Sequence, residues 1–134
     1  MHITMKGSYI DGFVFPVQKK NVAAYKKMAE LGKRMWMKAG ALAYYECQGD
    51  DLKIKPGPDG SKARSFVETA KAGPADTVWF SFIVFKDKKH RDAVNKKVMA
   101  QMSSEANSKK WKDFVMPMDS KKMAYGGFKA VVKG

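Results

Sequence analysis

The sequence predicts an α+β fold, a four-stranded antiparallel sheet with two helices on one face. Two segments carry the dense aromatic and β-branched composition of buried strands, "SYIDGFVFPV" (8–17) and "TVWFSFIVFK" (77–86). Each is followed by a segment with the 3.6-residue apolar period of an amphipathic helix. Shorter strand-like pieces at 41–49 and 122–134 complete the order β-α-β-β-α-β.

The first strand ends at Pro16, where a ladder donor is lost. The helix over 19–40 places Val22, Tyr25, Ala29, Gly32 and Trp36 on one stripe, with Met28 and Met35 beside it. Lys19, Lys26, Lys27, Lys33 and Arg34 lie mostly off that stripe, and Gly40 supplies the stop. "ALAYYECQG" (41–49) returns to strand composition. The run "DDLKIKPGPDGSKARS" (50–65) holds two prolines and two glycines within five residues and reads as an exposed loop. "SFVET" is expected to add a short extended piece before a turn at 71–76. In 77–86, Val78, Phe80, Phe82 and Val84 share one face, while Trp79, Ile83 and Phe85 share the other with Ser81. Both faces are apolar, so both should be covered. The second helix, 87–102, has Asp87 as its N-cap and Val94, Val98 and Met102 at i, i+4 spacing. A short helix or turn is expected over 107–117, and the last strand carries a kink or bulge at Gly126-Gly127.

This element order is the ferredoxin-like arrangement, and it leaves one sheet face bare. An apolar bare face is most simply covered by a second copy of the same sheet, so the chain is expected to form a homodimer, a dimeric α/β barrel. The 134 residues suit one domain. No run approaches the roughly 18 apolar residues of a membrane span, and no signal-peptide core is evident near Met1. A lone cysteine, Cys47, cannot make an internal disulfide, which points to the cytoplasm.

The charge is unusual: 26 basic residues against 13 acidic give +13 and a pI near 9.8. Such a field attracts polyanions. Only Arg34, Arg64 and Arg91 are arginines, however, and bidentate phosphate or base recognition favours arginine. Weak, non-specific binding of RNA or another polyanion is the reading this supports.

The P-loop and dinucleotide-binding glycine patterns are absent. "HRDAVN" (90–95) lacks the spacing of a kinase catalytic loop, and two histidines far from one cysteine give no metal-ligand pattern. No cofactor or metal is expected. Candidate site residues are polar or aromatic groups on strands and helix ends. Asp11, mid-strand before Gly12, and Glu46, on the second strand, are either paired and hydrogen-bonded or the acid and base of a pocket. His90 opens its helix, where the dipole favours a neutral imidazole, as a proton carrier or as filler of the helix–sheet junction. Trp79 and Tyr125 are core, or an aromatic lid over a flat ligand. Of Tyr44 and Tyr45 only one faces any given cavity, and Cys47 beside Glu46 reads as a small buried hydrophobe.

The stretches "DGFVFPV", "ECQGDD", "HRDAVNKKVM" and "YGGFK", in collinear order between Tyr9 and about Val131, resemble the YbaA-like family, a bacterial domain of unknown function. The resemblance implies a ferredoxin-like fold of the dimeric α/β-barrel superfamily and brings no activity with it. The wider superfamily includes cofactor-independent oxygenases, dehydratases and haem-degrading enzymes. The lysine load and the loop at 53–65 depart from the family pattern. Two functions are therefore weighed, beside a plainer stress-related or structural dimer whose charge serves solubility only. One is a small-molecule pocket between sheet and helices, with Asp11, Glu46, Trp79, His90 and Tyr125 near it and a cofactor-independent reaction as its chemistry. The other is a non-catalytic protein whose lysine surface engages RNA or another polyanion.

Overall fold

The computed structural model describes residues 7–106 and 116–134. Strands β1 (Tyr9–Gln18), β2 (Ala43–Gln48), β3 (Asp76–Phe85) and β4 (Ala124–Lys129) form an antiparallel sheet in the order β2-β3-β1-β4. The helices are α1 (Val22–Ala39), the single turn α2 (Phe66–Thr69) and α3 (Lys88–Ala106). The segment expected to be helical at 107–117 lies, for 107–115, outside the described residues.

The long, aromatic strands take the centre. β1 and β3 pair over their full length, from Tyr9 opposite Phe85 to Gln18 opposite Asp76. The strands with fewer branched residues, β2 and β4, are the edges. Odd-numbered residues of β1 and β3 face the helices. Phe15, Val17 and Trp79 pack with Tyr25 and Ala29 of α1, and Ile83 and Phe85 pack with Val94 and Val98 of α3. The stripes legible in the sequence are therefore the buried faces, and at about 25 cal/mol per Å2 this burial is the main force holding the layers.

Helix ends follow local chemistry. The Asp87 carboxylate accepts the His90 amide at 2.7 Å, fixing the start of α3. Gly40 sits at φ 119°, and its amide reaches back to the Trp36 and Met37 carbonyls. The expected extended piece at "SFVET" is instead α2, because Ser65 caps it by accepting the Glu68 amide at 3.1 Å.

The opposite sheet face carries the even residues of β1 and β3. Tyr45 stacks on Phe82 at 4.9 Å, and Phe80 meets both Phe82 and Phe66. Tyr45, Phe80 and Phe128 are exposed there at 51%, 44% and 62%. Gly12 also points to this face, and a Cβ added to it would lie 3.5 Å from the Phe128 ring. Cys47 is exposed rather than buried, since its position on β2 turns it towards this open face and away from the helices. No helix among the described residues is long and apolar enough to cross a membrane.

Candidate active site

Between the sheet and helices α1 and α3 lies a cavity of about 460 Å3. Its walls are apolar, with Phe13, Ile83 and Trp36 among them and six methionines (Met28, Met35, Met99, Met102, Met116 and Met123). Polar groups are concentrated on the sheet side. β-pairing aligns Glu46, Ser81, Phe13 and Tyr125 in one row across all four strands, each on the helix-facing side. Asp11 stands in the adjacent row.

Glu46 is held by hydroxyls. Tyr25 donates to its Oε2 and Tyr44 to its Oε1, both at 2.8 Å, and Ser81 adds a third hydrogen bond. Burial raises the Glu46 pKa, while the three hydroxyl donors pull it back. The same burial, with the Glu46 charge alongside, pushes both tyrosine phenols far above their usual range. They therefore remain protonated and donate. Gly32 makes this arrangement possible, because a Cβ there would lie 3.0 Å from the Tyr44 hydroxyl.

Asp11 is 2% exposed and forms an ion pair with Arg91 Nη1 at 2.8 Å. Burial raises its pKa, and the guanidinium opposes that. Arg91 also donates to the Tyr125 hydroxyl (Nη1, 3.2 Å), the Tyr9 hydroxyl (Nη2, 3.3 Å) and Asp92 (Nε, 2.8 Å). Its guanidinium carbon lies 5.0 Å from the centre of the Tyr9 ring. Asn95 bridges this cluster to the wall: it hydrogen-bonds Asp11 and accepts the Trp36 indole N–H at 3.2 Å. Tyr125 stacks on Phe13 at 4.9 Å.

Of the five residues expected near a pocket, the structure brings Asp11, Glu46 and Tyr125 to this cavity and leaves two outside it. His90 is the first correction. Its Nδ1 accepts the Lys86 amide at 3.0 Å and its ring stands edge-on to Phe85, so it fills the helix–sheet junction. Trp79 is the second. It is buried against Tyr25 with its indole N–H donated to Thr77, and it borders a separate, smaller hollow of about 310 Å3. Sequence reasoning missed Tyr25, Ser81, Asn95 and Arg91. Tyr25 stands in a helical stripe and Asn95 beside one, and only the fold shows that their polar ends meet the strand carboxylates. Among the described residues, no three His, Cys, Asp or Glu side chains are grouped to hold a metal ion.

Comparison with known proteins adds kinship. A family model described as "Protein of unknown function (DUF1428)" matches residues 8–123. The chain is 36% identical over 124 residues to "Uncharacterized protein YbaA" of Escherichia coli K12, covering 92% of this chain and 97% of that protein. The same figures hold for the protein of that name in Shigella flexneri. Among solved structures, a Bacillus cereus protein described as related to NIF3 aligns with 98% of this chain at 14% identity and a TM-score of 0.34. This chain spans 28% of that one, and a likeness so distant carries no argument.

Proposed function

The chain belongs to this YbaA-like family of unknown function, so its role must be argued from its own site, and we propose that it is a small-molecule-binding protein with one pocket per protomer. The pocket is the apolar cavity between the sheet and helices α1 and α3. One observation carries the reading: an apolar space of about 460 Å3 holds two carboxylates, Asp11 and Glu46, with every strand of the sheet contributing to its floor. Asp11 is buried and Glu46 half-buried, and ionisable groups withdrawn from water are costly in a purely structural core and gather where ligands are bound and protons moved. The chemistry this suits is acid–base catalysis without a cofactor.

The strand order supports a ferredoxin-like fold, the exposed aromatics of the open face support a homodimer of the α/β-barrel kind, and the lone cysteine suits the cytoplasm. The test is native mass spectrometry of protein purified gently from its host. A two-chain mass with a small adduct, lost when Ala29→Leu narrows the cavity, is the expected result. A monomer would remove the dimer, and an adduct unaffected by Ala29→Leu would move the ligand elsewhere.

A second reading keeps the lysine surface as a polyanion site. The net charge is +13, and among the described residues the ion pairs engage one lysine, Lys33 with Glu30. RNA affinity should then fall steeply with salt, with a slope close to one per phosphate neutralised. Affinity unchanged between low and physiological salt would exclude it.

A further inference from the structure

We infer that Glu46 is the acceptor for a neutral, flat and largely apolar ligand bearing an acidic hydroxyl of the phenol or enol class, and that it takes that proton. The inference rests on the pocket reading above and names the ligand class. A carboxylate has about four acceptor sites on its two oxygens. Tyr25, Tyr44 and Ser81 occupy three, which leaves one for a guest. Among the described residues no cation pairs with Glu46, although even half-burying a carboxylate without one is costly. A glutamine or leucine would fill the space more cheaply if packing were its only task.

The opposite side of the cavity is already neutralised. Asp11 is spent on Arg91, whose Nη1 also serves Tyr125. An anionic ligand would find no free guanidinium and would meet the Glu46 charge. An ammonium ligand would bring three N–H donors to walls of thioether and hydrocarbon, with one acceptor site open to it. A single O–H donor matches that one site. The methionine-rich walls favour a polarisable, flat body.

The row of the sheet sets the length. Glu46 and Tyr125 are separated by three strand spacings, about 14 Å between backbones. Between them lie Ser81 and the Phe13 ring, a floor suited to fused rings. The Tyr125 hydroxyl accepts from Arg91 and keeps its own proton to donate to an acceptor on the ligand's far end. In the proton-transfer step the ligand O–H bond breaks and the proton moves to a Glu46 oxygen. The electron pair stays on the ligand oxygen as a phenolate or enolate, and reversal restores both groups without an oxidant.

The test is calorimetric titration of the full chain with four probes: 2-naphthol, naphthalene, 2-naphthoate and 2-(aminomethyl)naphthalene. 2-Naphthol should bind about tenfold more tightly than naphthalene, as expected for one hydrogen bond to a charged acceptor, and the naphthoate should not bind. Glu46→Gln should erase that preference. Equal binding of 2-naphthol and naphthalene by the wild-type chain overturns this inference and leaves the pocket reading standing. Tightest binding of the ammonium probe also overturns it. Failure of all four probes to bind overturns both. The wild-type comparison decides the matter even if the variant does not fold.

Discussion

At the scale of single residues, the two carboxylates are stabilised by opposite means, and substitution should separate them. Removing the partner of a buried ion pair leaves a charge without compensation. Arg91→Ala should therefore cost about 3–5 kcal/mol in urea unfolding, whereas Asp11→Asn combined with Arg91→Met should recover much of that loss. Glu46 behaves differently because its folded pKa lies above the unfolded value. In such a case the folded state holds the proton more tightly. The contribution of Glu46 to stability is then fully present below the ordinary glutamate pKa of about 4.3 and is lost as pH rises through the higher folded value. Glu46→Gln should flatten that decline when the melting temperature is followed across this window. An unchanged slope would show that Glu46 does not carry it. Sequence alone identified both acids as anomalous, because a charge in the middle of an apolar strand is visible without a structure. It did not identify their partners: Asp11 and Arg91 lie 80 positions apart, Tyr25 reads as part of a helical stripe, and the pattern does not choose between Tyr44 and Tyr45 as the one beside Glu46.

At the scale of elements, glycines mark where strands and helices come too close for a side chain. A Cβ on Gly127 would fall 2.2 Å from the Tyr9 hydroxyl and within 3 Å of two of its ring carbons. Gly127→Ala should cost about 1–3 kcal/mol as an overpacked contact, and distinctly less in a Tyr9→Ala background. A double-mutant cycle by chemical denaturation measures that coupling, and simple additivity would refute the steric explanation. Gly40 is a different case. Its added Cβ would make ordinary contacts, so Gly40→Ala should lose only the roughly 1–2 kcal/mol of a left-handed backbone, seen as a lower melting temperature. Strands β1 and β3 and both long helices were legible because period and composition agreed over many residues. The segment "SFVET" was misread because four residues carry no period, and its serine cap was the signal that outweighed its branched and aromatic side chains. Of the two readings of His90, proton carrier and filler of the helix–sheet junction, its position three residues after a capping aspartate favours the second, and there it receives the Lys86 amide.

At the scale of the whole molecule, the sheet divides two environments, a cavity on one side and an aromatic surface on the other. If that surface joins two copies, Phe128→Lys and Tyr45→Lys should each shift the mass in solution towards one chain, by light scattering, while leaving the far-UV spectrum intact. Cys47 reports the same event: its exposed thiol should react readily with a bulky disulfide reagent in the monomer and slowly in the wild-type dimer. Equal reactivity in both would place the interface elsewhere. The cavity has a property of another kind, set by its methionines. Met99, Met102 and Met116 border it and are 50%, 45% and 51% exposed, and each thioether can take up one oxygen from peroxide to become a polar sulfoxide. Peroxide would thus turn an oily recess into a hydrophilic one with the backbone unchanged, and a methionine sulfoxide reductase would turn it back. The chamber's solvent character is written in side chains that oxidation can rewrite and reduction can restore.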